Sequence, residues 1–132
     1  MEHDIEKIGK AILDAAITVH KALGPGLLES AYKIALEHEL TLRGFGVRRE
    51  VPVQLVYKGV NAGKGFRMDM LVNDLVIVEA KAVQELHPID LSQLLTHLRL
   101  YDRRLGYLIN FNVTLFKDGF KRVVNNWHYQ NT

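Results

Sequence analysis

The sequence contains no cysteine, which excludes disulfide bonds, thiolate metal sites and cysteine-based catalysis. A zinc site would have to be built from six scattered histidines. No apolar run reaches the roughly 18 residues that a membrane-spanning helix needs. The first residues of the chain are acidic, whereas a secretory signal peptide begins with basic residues. We therefore expect a cytoplasmic protein.

The remaining composition is that of an ordinary globular protein. Its 132 residues are 48% hydrophobic and 24% charged, which suits one domain with one hydrophobic core. The formal net charge is only +2, with the acidic surplus before residue 40 and the basic surplus after it. So small a surplus of positive charge does not by itself indicate a polyanionic partner such as nucleic acid. We predict a single domain over residues 1–132.

Hydrophobic periodicity divides the chain into predicted helices and strands. The helices are expected over about residues 4–22, from Leu27 to Arg43, and from Pro88 to about residue 98. The strands are expected over residues 47–57, 66–72, 75–83 and 105–111. Residues 61–65 have the composition of a loop, and residues 116–127 fit either a strand or a helix.

The order of these elements predicts an α/β fold. Three consecutive strands form an antiparallel meander, and the connection through the last helix is long enough to return a parallel crossover strand. We therefore expect a mixed sheet that is flanked by helices.

Charged side chains interrupt two of the predicted strands. Asp69, Glu79 and Lys81 lie in segments that otherwise have the pattern of buried strands. Burying an ionised group without a partner is strongly unfavourable, whereas two carboxylates around a divalent cation, with a lysine beside them, satisfy one another. Because alternate residues of a strand share a face, Glu79 and Lys81 point the same way.

Whether Asp69 joins them depends on the length of the hairpin loop. A two-residue turn at 73–74 would pair Met68 with Glu79 and would turn Asp69 to the opposite face. A three-residue loop at 73–75 places Asp69 across from Glu79, at about 5 Å between Cβ atoms. Only this second register gives one wholly apolar face, formed by Phe66, Met68, Met70, Val72, Val76, Val78, Ala80 and Ala82. We therefore predict the three-residue loop, or a bulge with the same effect.

The chemistry of such a site is limited by its ligands. Carboxylate oxygens favour Mg²⁺ or Mn²⁺ over softer metals, and these cations also bind phosphate. The cation would activate a water and neutralise charge on a scissile phosphate, while Lys81 positions the nucleophile or stabilises the developing negative charge. The backbone carbonyl of Ala80 is a further candidate ligand. The alternative is that Asp69 is an exposed edge charge and that Glu79 and Lys81 form a surface ion pair.

Four segments of the chain resemble a known family. Asp69, followed by Glu79-Ala80-Lys81, resembles the signature of the PD-(D/E)xK nuclease superfamily, with Met68 where proline often stands. Gly26-Leu-Leu-Glu29-Ser-Ala-Tyr32 is similar to the motif that names the GxxExxY protein family, a branch of that superfamily. Gln93-Leu-Leu-Thr-His97-Leu resembles its Gln-Leu-Leu-x-Tyr-Leu helix, and residues 105–111 resemble its closing strand. The likeness extends from about residue 4 to about residue 125.

The resemblance implies a restriction-endonuclease-like fold and a metal-dependent nuclease that hydrolyses DNA or, less favoured, RNA. The alternative is a non-catalytic module that binds nucleic acid or protein on the same fold. In the first case Asp69 and Glu79 hold Mg²⁺ or Mn²⁺, Lys81 is the catalytic lysine, and Glu29 reaches the metal directly or through a water. Because the chain is too short for a separate recognition domain, a homodimer or a partner protein is also expected.

Three further residues are candidates for contact with the substrate. The resemblance places Gln93 at the border of the active site, and the predicted register places Arg67 on the charged face with Asp69. Tyr32 either packs in the core or presents its hydroxyl to phosphate, and packing is the favoured alternative. His97 stands where the resemblance has tyrosine, and we expect it to be solvated.

Overall fold

The computed structural model describes residues 2–63 and 66–126. The helices are α1 (Glu2–Leu23), α2 (Glu29–Leu42) and α3 (Pro88–Tyr101). The strands are β1 (Val47–Pro52), β2 (Leu55–Tyr57), β3 (Val60–Gly63), β4 (Arg67–Val72), β5 (Val76–Lys81), β6 (Leu105–Asn110) and β7 (Phe120–Val124). A short 3₁₀ helix, Phe116–Gly119, precedes β7. None of the helices in the described ranges is long and apolar enough to cross a membrane.

A five-stranded mixed sheet in the order β1-β4-β5-β6-β7 forms the centre of the fold. Strands β1, β4 and β5 make the predicted antiparallel meander, and β6 runs parallel to β5 after the connection through α3. Strand β7 pairs antiparallel with the outer side of β6. The predicted α/β architecture is confirmed, and it is consistent with a restriction-endonuclease-like fold.

Two of the predicted segments have different boundaries in the structure. The strand expected over residues 47–57 is divided at Pro52, which lacks an N–H group, and its second half pairs with β3 in a separate two-stranded sheet. The loop expected over residues 61–65 contributes to β3 as far as Gly63, and its last two residues lie outside the described ranges. Residues 116–127, which fitted either a strand or a helix, contain the 3₁₀ helix and β7. The last residue of this segment, Trp127, lies outside the described ranges.

The sheet separates two hydrophobic clusters. Helices α1 and α2 pack on one face, where fully buried residues such as Ile12 and Leu36 belong to one hydrophobic cluster with Met70 and Val78, called here the α1–α2 cluster. Helix α3 covers the other face and lies mainly against β6 and β7. Its buried leucines belong to the α3 cluster, which contains Val51, Val53, Met68, Leu71, Ile77, Leu94, Leu98 and Leu108. The core strands are therefore buried on both faces, as expected for a sheet with helices on each side.

The hairpin between β4 and β5 has the predicted three-residue loop. Val72 pairs with Val76 and Met70 pairs with Val78, so residues 73–75 form the connection. Asn73 and Asp74 both have left-handed backbone conformations, with φ of 49° and 60°, which these two residue types tolerate better than most. The register on which the predicted site depends is therefore confirmed.

One residue of the predicted apolar face lies on the wrong side. Met70 packs in the α1–α2 cluster as predicted, but Met68 packs in the α3 cluster, although simple alternation would keep the two together. On the neighbouring strand Glu50 has φ of 54°, and Val47 and Val51 on either side of it also belong to opposite clusters. A left-handed residue interrupts the alternation of its own strand, and β4 changes faces at the same level, next to Asp69. Phe66, the other end of the predicted face, is exposed.

The burial of α2 gives a matched pair of substitutions for the fold. Leu36 is fully buried whereas Ile34, on the same helix, is 60% exposed. We expect Leu36→Ala to lower the free energy of unfolding by about 2–5 kcal/mol because it leaves a cavity under the helix. Ile34→Ala should change it by less than about 0.5 kcal/mol. Urea unfolding of both variants measures the difference, and equal losses would contradict the described packing of α2.

Candidate active site

Two carboxylates meet at the point where the ladder between β4 and β5 ends. Beyond the pair Met70 and Val78, the strands are joined by side chains: the N–H of Asp69 donates to Oε2 of Glu79 at 2.8 Å. In return, the N–H of Ala80 donates to Oδ2 of Asp69 at 2.9 Å. Each carboxylate therefore occupies a backbone donor of the opposite strand, and these bonds fix the orientation of both groups.

The charge on Glu79 is strongly disfavoured at this position. The residue is only 7% exposed, and burial together with the nearby charge of Asp69 raises the pKa of Glu79 to about 8. The hydrogen bond from Asp69 and the charges of Lys81 and Lys33 oppose this rise but do not cancel it. A cation that binds between the two carboxylates would therefore relieve an existing electrostatic cost.

A lysine that the sequence analysis missed bridges Asp69 to helix α2. Nζ of Lys33 lies 3.0 Å from Oδ1 of Asp69 and 3.0 Å from Oε2 of Glu29. Burial lowers the pKa of Lys33, but the hydrogen bonds and charges of the two carboxylates outweigh this effect and raise it, so the ammonium form prevails. The spacing of Glu29 and Lys33, four residues apart on a helix, was the signal that could have indicated this ion pair.

The predicted catalytic lysine is held near the start of α3. Nζ of Lys81 lies 4.0 Å from Oδ1 of Asp90, a residue that the sequence analysis did not select. The other oxygen of Asp90 accepts a hydrogen bond from the N–H of His87 at 2.8 Å, at the N-cap position of the helix. Asp90 therefore connects the first turn of α3 to the strand that carries Lys81.

His97 is buried, so the expectation that it is solvated was wrong. The residue is 2% exposed between the buried Leu94 and Leu98, because α3 lies across the part of the sheet that carries Glu79. Its Nδ1 is 3.7 Å from Oε1 of Glu79, and this buried nitrogen has no hydrogen-bond partner among residues 2–63 and 66–126. Burial is the largest of the effects that lower the pKa of His97, which favours a neutral imidazole facing the carboxyl group.

Tyr32 has a structural position that favours the packing alternative. Its side chain is fully buried, and its ring stacks on Phe111 with the centroids 4.8 Å apart. The hydroxyl donates to the carbonyl of Gly24 at 2.6 Å and accepts a hydrogen bond from the N–H of Leu27 at 3.1 Å. Tyr32 thus fixes the loop between α1 and α2, and Glu29 follows this loop in the first turn of α2. Because the hydroxyl is buried and bonded to this loop, it does not face a phosphate.

Asparagines at the end of β6 join the segments that carry the charged residues. The buried Asn110 exchanges two hydrogen bonds with the backbone of Val83, at 3.1 and 2.9 Å, just after Lys81. Two residues on, Oδ1 of Asn112 accepts a hydrogen bond from the N–H of Gly26 in the loop before α2. Sequence periodicity gave no signal for these contacts, because they join parts of the chain that are far apart.

The two other predicted substrate contacts lie on the surface near these groups. Gln93 is exposed and borders a pocket with Phe66, Ile89 and His97. Arg67 is exposed at the first residue of β4, two positions before Asp69. Both positions are accessible to a ligand, and their predicted roles stay predictions.

The donor set fits a hard divalent cation. Within residues 2–63 and 66–126 no cluster of three or more histidine, aspartate or glutamate side chains could hold a metal. Mg²⁺, however, is commonly bound through one or two carboxylates, with waters and substrate phosphates completing its coordination. Asp69 and Glu79 supply two carboxylates, and a bound cation would oppose the burial and the charge of Asp69 that raise the pKa of Glu79.

The pKa of Glu79 predicts an unusual pH dependence of stability. Because the folded-state pKa of about 8 lies above the ordinary value of 4.5, folding favours the protonated form, and this contribution is lost as the pH rises between these values. We expect the free energy of unfolding in EDTA to fall by about 3 kcal/mol between about pH 5 and about pH 8. In Glu79→Gln this fall should be largely absent. Denaturant unfolding at several pH values tests this, and identical pH profiles for the two proteins would contradict it.

Comparison with known proteins agrees with this geometry. A family model described as the PD-(D/E)XK nuclease superfamily matches residues 6–123, from the first helix into the last strand. No match is found among the curated proteins or among the solved structures. The matched region includes Asp69, Glu79 and Lys81. The chain therefore belongs to the PD-(D/E)XK nuclease superfamily.

Proposed function

We propose that this protein is a nuclease that hydrolyses phosphodiester bonds with Mg²⁺ or Mn²⁺ as its cofactor, and that DNA rather than RNA is its substrate. The observation that carries this proposal is the meeting of Asp69 and Glu79 where β4 and β5 separate, with Lys81 two residues further on. Membership of a nuclease superfamily supports the same reaction class.

Each of these residues has a distinct role in the proposal. Asp69 and Glu79 hold the cation, with the carbonyl of Ala80 as a further ligand and Glu29 reaching it directly or through a water. When bound, Mg²⁺ supplies an activated water and neutralises charge on the phosphate. Lys81 positions the nucleophile or stabilises the negative charge that develops on the phosphate. Gln93 and Arg67 are the proposed contacts with the nucleic-acid backbone.

We further infer that the chain belongs to the GxxExxY branch of the superfamily. The roles of the three motif residues support this assignment. Gly26 has φ of 104°, a conformation that glycine adopts readily, and the hydroxyl of Tyr32 fixes the adjoining loop. Together they hold the start of α2, where Glu29 pairs with Lys33 and so approaches Asp69. The spacing of the motif therefore has a physical reason, the placement of one carboxylate.

Hydrolysis by substituted proteins tests the proposed activity. We expect the wild type to cleave labelled DNA oligonucleotides with Mg²⁺ or Mn²⁺ and to leave them intact in EDTA. Lys81→Ala and Asp69→Asn should each reduce the rate by about 10²–10³-fold, because each removes a group that stabilises charge at the reacting phosphate. Parallel assays with single-stranded DNA, duplex DNA and RNA establish the substrate.

An exposed lysine on α1 offers the matched control. Lys10→Ala removes the same charge as Lys81→Ala from a solvent-exposed position and should retain the wild-type rate. Equal rates in the wild type and both active-site variants would overturn the proposal. Salt-dependent binding of nucleic acid without any cleavage would instead favour the alternative of a non-catalytic binding module.

A further inference from the structure

An ammonium group already occupies a cation position in this site. Lys33 places Nζ at 3.0 Å from one oxygen of Glu29 and at 3.0 Å from one oxygen of Asp69. In a carboxylate-based active site, a position between two acidic side chains is one that a divalent cation could otherwise fill. Here that position is filled by the ammonium group of Lys33.

Several contacts keep Lys33 at this position. Its side chain is only 14% exposed, so the ammonium would have to leave a largely enclosed environment to vacate the space. Glu29 lies one helical turn before it, which is the favourable order for a glutamate–lysine pair on a helix. Asp69 is held in turn by its bond to the N–H of Ala80, so both partners of the ammonium are themselves positioned.

The two oxygens of Asp69 face different partners. Oδ1 contacts Lys33, whereas Oδ2 accepts a hydrogen bond from β5, the strand that carries Glu79. A carboxylate oxygen has two lone pairs, so Oδ2 of Asp69 and Oε2 of Glu79 can each bind a cation while keeping their backbone hydrogen bonds. Asp69 is therefore shared between an internal ammonium on the α2 side and a cation site on the β5 side.

We propose that this active site holds a single divalent cation, at Asp69 and Glu79, because the ammonium of Lys33 fills the position between Asp69 and Glu29 that a second cation would need. This inference rests on the metal site of the proposed function and specifies how many divalent cations bind there. On this inference Glu29 is the partner of Lys33 in place of the direct or water-mediated ligand role given to it above, and its effect on a bound metal passes through Asp69.

Counting bound Mn²⁺ tests the proposal directly. Calorimetric titration of the metal-free protein, with electron paramagnetic resonance to count free ions, should give one Mn²⁺ for each wild-type chain. Lys33→Ala should bind two, because it removes the competing charge and leaves Glu29 and Asp69 facing an open position. Lys33→Arg keeps the charge and should bind one, and the double variant Lys33→Ala with Glu29→Gln should return to one.

Two ions in the wild type, or one ion in Lys33→Ala, would overturn the proposal. The wild-type count is decisive by itself, so the test does not depend on how well a variant folds. Hydrolysis with two ions bound would overturn the single-ion inference and leave the nuclease function standing. No bound Mn²⁺ at all in the wild type would overturn the inference together with the metal site on which it rests.

Discussion

The unfavourable charge of Glu79 is the constraint on which the site depends. Its carboxylate lies under α3, close to Asp69, and both burial and the neighbouring charge oppose its ionisation. The surroundings compensate only in part, through the backbone N–H of Asp69 and the ammonium groups of Lys81 and Lys33. A protein that retained only a structural role for these residues would be more stable with a neutral side chain here. This electrostatic cost supports the proposal that Asp69 and Glu79 bind a cation.

The fold brings three separate parts of the chain to this point. The opening between β4 and β5 frees the backbone donors that orient the two carboxylates. Helix α2 adds Glu29 and Lys33 from one side, and α3 adds Asp90 and His97 from the other. The asparagines that follow β6 connect the end of β5 to the loop before α2, so the charged segments are held by a common set of hydrogen bonds. The site is consequently a property of the whole sheet and not of one strand.

Periodicity in the sequence was sufficient to predict the central elements of the fold and the three-residue hairpin loop that brings Asp69 close to Glu79. That step succeeded because period-two alternation admits only two registers and one of them scatters charge. The reversal of faces at Met68 was not predictable in this way, since it breaks period-two alternation, and glutamate gives no signal for the left-handed conformation that Glu50 adopts beside it. The burial of His97, the role of Asn110 and the contact of Lys33 with Asp69 were missed for another reason. Each depends on contacts with a distant element, which no local pattern encodes.

The proposed function requires that Asp69 and Glu79 together bind a divalent cation beside Lys81. A crystal structure of the protein soaked with Mn²⁺, with anomalous diffraction data to identify the metal, is the most direct test of this cation site. We expect an anomalous peak in contact with both carboxylates, with Lys81 close to it. The absence of a peak there under saturating Mn²⁺, with the two carboxylates turned away from each other, would contradict the proposed site.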